Sequence, residues 1–145
     1  MEYESSDVWL LLAVALAAQQ EPADLRQIVA AGDAINHAIF TDAEFEGGLA
    51  RLTAGGWIRE ERGRFAVTTK FRTAAGKLPR SGDKAWAQIE KLLSAKSWDR
   101  DSVCSSEEHR ISYPGFSSEA LGKAIKKYHQ GFARTCRRPK RESLR

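Results

Sequence analysis

The sequence predicts an α+β fold that is mainly helical: three helices, a short β-hairpin, then two further helices and a basic tail. Three observations carry that expectation. Thr41 and Glu44 form a T-x-x-E capping box ahead of Phe45, Leu49 and Leu52, whose i, i+4, i+7 spacing marks a helix with one buried face. Gly55 and Gly56 stop that helix, and the run from Trp57 to Thr69 reads as two strands around a turn at Arg62 and Gly63. Two later segments, near 82–96 and 117–136, carry apolar residues at helical spacing.

Taken in order, Ser6 or Asp7 is placed to cap a first helix whose run Val8 to Leu16 is apolar nearly all round, the signature of a helix buried in a core. Pro22, followed by Leu25, Ile28 and Val29, starts a second helix running through Gly32, a candidate kink, towards His37. The third helix spans 41–54 and the hairpin follows. Lys70 to Asp83, with Gly76, Pro79 and Gly82, reads as a linker. It leads to an amphipathic helix with Trp86, Ile89 and Leu93 on one face; Trp57 and Trp86 are expected in the core. The last helix aligns Leu121, Ala124, Ile125, Tyr128 and Phe132 in a stripe, with Lys123, Lys126, Lys127 and Arg134 off it.

With 145 residues and 42% apolar composition, the chain is long enough to build one proper core. No window reaches the length of a membrane span. The longest apolar stretch, Val8 to Ala18, follows Glu2, Glu4 and Asp7 rather than the positive flank of an export signal. With Cys104 and Cys136 far apart, the expectation is a cytoplasmic protein with reduced thiols and no membrane partner. The net charge of +4 is unevenly placed: residues 1–80 sum to −2 and residues 81–145 to +6. From Lys123 onward nine basic residues face one acid, and the ending "RRPKRESLR", too polar to fold alone, suits either a polyanion or a solvated tail that aids solubility.

The stretch "GGLARLTAGGWIREERGRFAVTTKFRTAAG", Gly47 to Gly76, resembles the winged helix-turn-helix domain of MarR-type and PadR-type bacterial transcriptional regulators. There a recognition helix runs into a glycine stop, a wing, and a Thr-containing strand end before the next helix. The resemblance covers about residues 7–76. It implies a winged-helix domain at 5–76, a helical extension at 77–136 and a basic tail at 137–145. It also implies double-stranded DNA as a partner, a recognition helix at 41–54 bearing Arg51, and a wing whose Arg62 and Arg64, supported by Arg59, reach the backbone. Arg137, Arg138, Lys140 and Arg141 of the tail are the further expected phosphate contacts.

The third helix complicates base reading. Its outward face, opposite Phe45, consists of Ala43, Gly47, Ala50 and Ala54, flanked by Glu46 and Arg51, and small side chains cannot reach base edges. Asp42 and Glu44 suit the first turn of a helix, where negative charge is favoured. Gly47 and Gly48 each cost roughly 1 kcal/mol relative to Ala inside a helix, which fits either close backbone approach or drift at a tolerant site. Two readings therefore stand: backbone-dominated DNA binding, or a protein-interaction module or homodimer that docks a partner on this small face. The last helix is the expected cover for it, within the chain or across a dimer.

Enzymatic motifs are missing. Asp33, Asn36 and His37 share one helical turn, but no nucleophile accompanies them and a helix-end polar cluster is the commoner arrangement. Cys104, His109, His129 and Cys136 lack the close paired spacing of structural zinc ligands. The expectation is a non-enzymatic protein with no cofactor and no metal.

Overall fold

The computed structural model describes residues 3–95 and 117–136. Six helices and one antiparallel hairpin follow in the order α1 (Ser5–Ala17), α2 (Leu25–Asn36), α3 (Asp42–Ala54), β1 (Ile58–Glu61), β2 (Arg64–Val67), α4 (Thr69–Ala75), α5 (Gly82–Ser94) and α6 (Ser118–Cys136). The fold is mostly helical with a small sheet. No helix among the described residues is long and apolar enough to cross a membrane.

The apolar run in α1 sets the architecture. Every residue from Asp7 to Ala15 is buried, so α1 must be surrounded, and α2, α3, α5 and β2 all pack against it. Its start is two or three residues earlier than the sequence suggests, because Glu4 is the N-cap and its N–H donates to the Asp7 carboxylate at 2.8 Å. α2 begins at Leu25 rather than at Pro22: Asp24 caps it, its carboxylate accepting from the Gln27 N–H while Gln27 returns a bond to the Asp24 N–H. Pro22 and Ala23 instead lie in a short extended segment, where Ala23 makes an antiparallel bridge with Phe65 through two 2.8 Å backbone hydrogen bonds.

Gly32 does not break α2. A side chain there would strike the ring of Phe40, and the Gly32 carbonyl accepts a 2.9 Å bond from the Trp9 indole N–H. Phe40 stacks on Trp9 and meets Phe45 edge-on, with centroids 3.8 and 5.5 Å apart, so α1, α2 and α3 are joined through three aromatic rings. In α3, Phe45, Leu49 and Leu52 are fully buried, as the stripe requires. Gly48 is the site of close approach, since a Cβ there would lie 2.7 Å from Leu10 Cδ2 of α1.

β1 and β2 pair from Ile58 with Val67 to Glu61 with Arg64. Arg62 (φ 51°) and Gly63 (φ 80°) both take positive φ, which a two-residue type I′ hairpin turn demands. Part of the expected linker is helical: Thr68 accepts from the Phe71 N–H and caps α4, so only residues 76–81 remain as a connection to α5. α5 buries Ala85, Ile89 and Leu93 against α1, while Trp86 is only half-buried. α6 docks on α2 rather than on α3, with Leu121 and Ala124 buried. The helical extension therefore shares one core with the first three helices. Trp98, Cys104, His109 and the tail residues Arg137, Arg138, Lys140 and Arg141 lie outside the described residues.

Candidate nucleic-acid interface

Arg51 faces inward across α3 rather than standing free. Its Nε donates to Asp7 Oδ2 at 2.7 Å and its Nη2 to Asp7 Oδ1 at 2.8 Å, a bidentate fork, and Nη2 also reaches Glu4 Oε2 at 3.3 Å. The Asp7 carboxylate, fully buried, accepts the Glu4 N–H as well. This bonding, ahead of desolvation, holds the guanidinium pKa above its ordinary value. The side chain also lies over Gly47, where a Cβ would be 3.0 Å from Nη1. Gly47 thus leaves room for the chain's own arginine, and the fork ties α3 to α1.

With Arg51 engaged, the exposed charges of α3 are acidic. Asp42 and Glu46 are exposed and Glu44 is half-buried, returning a 2.9 Å bond to the Thr41 N–H. Ala43 is exposed, whereas Gly47, Ala50 and Ala54 are half-buried. A helix edge of this composition repels phosphates and offers no long donor to base edges.

The hairpin differs. Arg59 pairs with Glu61, two residues along the exposed strand, and its hydrogen bond holds the Glu61 carboxyl below its ordinary pKa, so the two charges offset one another locally. Glu60 accepts the Gly63 N–H at 2.7 Å, which fixes the turn. Arg62 and Arg64 flank the tip, are exposed, and form no salt bridge among the described residues. Arg64 makes only a long 3.4 Å contact to the Pro22 carbonyl.

Behind the hairpin, Lys70 donates to the Gly55 carbonyl at 2.6 Å and sits 4.4 Å from the Trp57 ring centroid. Trp57 is buried and donates to the Tyr3 hydroxyl at 3.0 Å. The base of the hairpin is therefore rigidly attached to α3 and to the chain's first residues. No family model, curated protein or solved structure matches this chain.

Lys70, Arg72, Lys77 and Arg80 are basic residues that the sequence reading passed over. The signal was there: from Arg62 to Gly82 the chain holds six basic residues and no acid. Summing charge over halves of the chain masked it. Asp33 and His37, by contrast, have structural duties. The His37 N–H donates to the Asp33 carbonyl to close α2, and Asp33 Oδ2 accepts the Tyr128 hydroxyl of α6 at 2.5 Å. Asn36 is exposed at the helix end.

Proposed function

We propose that this chain is a non-enzymatic winged-helix protein that binds double-stranded DNA through the phosphate backbone, with the hairpin as its contact and α3 kept from base reading. The observation that carries the reading is the Ala23 to Phe65 bridge. It gives the segment between the first two helices a strand-like partner in the hairpin, the order helix, strand, helix, helix, hairpin expected of a winged-helix domain. Arg62 and Arg64 then stand at the wing tip with Lys70 at its base. Cations so placed gain affinity from phosphates at any sequence. Such a regulator would work in the cytoplasm.

The acidic edge of α3 favours a second reading, a protein-interaction module in which Asp42, Glu46 and the small residues Ala43, Gly47, Ala50 and Ala54 meet a partner or a second copy. Duplex binding measured against salt separates the two. Backbone binding predicts affinity that falls steeply between about 50 and 200 mM salt and varies little with sequence. Removing residues 137–145 should weaken it further. Absence of any shift at about 50 mM salt would refute the DNA reading and leave the protein-partner one.

A further inference from the structure

A trough lies on the molecule between the C-terminal end of α1, α4 and the connection that follows α4. Its volume is about 510 Å³, within the range of specific binding sites. Behind it lie the buried Ala15, Val67 and Phe71, and the apolar surface still accessible in it comes from Leu16, Leu78 and Pro79. Leu16 is the exposed large hydrophobic residue among those described, at 39% exposure, on a helix whose preceding nine residues are all buried. With Leu78 and Pro79 half-buried beside it, Leu16 leaves apolar area in the trough that a docked partner would cover.

The rim is cationic. Arg72, Lys77 and Arg80 line the trough, are exposed, and form no salt bridge among the described residues. No aspartate or glutamate lines it, because the α1 wall contributes Gln19 and the opposite wall comes from the acid-free stretch. The wall is also fixed in place: Gln88 of α5 donates to the Ala75 carbonyl at the end of α4, and Gly76 turns the chain away at φ 62°.

We propose that this trough docks an acidic amphipathic helix of a protein partner, with apolar anchors on Leu16, Leu78 and Pro79 and carboxylates against Arg72, Lys77 and Arg80. Charge complementarity decides the occupant. A DNA backbone would use the rim but waste the apolar surface, whereas a helix with leucines on one face and glutamates on the flanks uses both. This proposal stands independently of the DNA reading, which rests on the hairpin.

The test is fluorescence anisotropy of the full chain with a labelled peptide of about 14 residues, leucines at i, i+3, i+4 and i+7 and glutamates on the flanks. A glutamine-flanked version and a labelled duplex of about 20 base pairs serve as comparisons. Leu16→Asp should weaken the acidic peptide about tenfold and leave the duplex unchanged. R72E combined with R80E, two exposed positions whose change leaves the core intact, should weaken it at least as much, and the glutamine peptide should bind poorly throughout. Peptide binding that ignores both Leu16→Asp and the rim reversal would overturn the proposal. So would a duplex that loses affinity on rim reversal while the acidic peptide binds no better than its glutamine version, since the trough edge would then be a phosphate contact. Peptide binding that responds as expected, in a chain that binds no duplex, supports the trough and removes the DNA reading.

Discussion

Replacing Asp7 with Ala tests what holds α3 on α1. Asp7 is fully buried and accepts three hydrogen bonds, two from Arg51 and one from the Glu4 N–H. Removing one partner of a buried pair costs about 3–5 kcal/mol, chiefly because the other charge is left without its partner. The Arg51 side chain keeps 16% exposure and retains Glu4 at 3.3 Å, so it can turn towards water. Asp7→Ala therefore belongs at the low end, about 3 kcal/mol. Arg51→Met strands the carboxylate at 0% exposure with a single backbone donor, and should cost about 4 kcal/mol.

The double variant carries neither charge, and its loss should also be about 4 kcal/mol, from the cavity and the missing cap. The cycle thus gives a coupling of about 3 kcal/mol. Urea unfolding of the four proteins measures it, with midpoints that shift while the slope stays constant. At roughly 4 °C per kcal/mol, Asp7→Ala should melt about 12 °C lower. Single losses that simply add, leaving a coupling under about 0.5 kcal/mol, would refute the claim that this fork ties the helices together. Arg51 has a second readout. Folded Arg51→Met should bind a duplex as the parent does, and a tenfold loss would return Arg51 to the DNA interface.

Arg62 occupies a turn position at φ 51° that costs a non-glycine residue about 1 kcal/mol and that asparagine tolerates better, so Arg62→Asn should stabilise the hairpin while lowering duplex affinity; unchanged affinity would exclude the tip as a contact. Leu49→Ala removes a fully buried side chain from the α1–α3 packing and should cost about 2–5 kcal/mol by denaturant melts, a loss below about 1 contradicting its burial. Tyr128→Phe deletes the bond to Asp33 that joins α6 to α2, and proteolysis of α6 should quicken. Donation to Asp33, with some desolvation, raises the Tyr128 pKa above its ordinary 10.0, so the group stabilises the fold fully below pH 10.0 and less as pH rises through the folded value. The gap in melting temperature between Tyr128→Phe and the parent should accordingly close in alkali; a gap that widened there would reverse the assigned sign.

How much of this was legible depends on whether one segment or two had to be known. The burial of α1 followed from Val8 to Leu16 being apolar all round, and the buried face of α3 from three residues at helical spacing. The hairpin turn followed from Arg62 and Gly63 between two short apolar-rich runs. These are local signals, fixed by backbone period and turn chemistry. The start of α2 went astray because proline at a first turn and proline in an extended segment look alike until Phe65 is found opposite Ala23. α6 was expected over α3 because a lysine-flanked apolar stripe suits any acidic neighbour, and what distinguishes α2 is side-chain detail such as the Tyr128 hydroxyl meeting Asp33 and Arg26 lying against Gly131.

The candidate interface shows the same division in its charges. Arg51, Arg59, Arg62 and Arg64 are equivalent as letters, each near acids in the sequence, and each could be counted towards a cationic surface. Their availability is decided by partners at different distances along the chain: Asp7, 44 residues away, takes Arg51, while Glu61, two residues away, takes Arg59. Arg62 and Arg64 form no salt bridge among the described residues: Glu60 accepts the Gly63 N–H and Glu61 pairs with Arg59, while Arg62 acts on the Glu61 carboxyl only through space. The stretch from Arg59 to Arg64 carries three cations and two acids, a net charge of +1, and the pairing sets which of the cations stand clear of an acid. If that sorting governs binding, Glu61→Gln should free Arg59 and strengthen duplex binding by more than the loss of one repelling charge at an equivalent exposed site such as Glu46→Gln. Equal gains from the two substitutions would mean that only net charge matters, and that the hairpin has no special place in the interface.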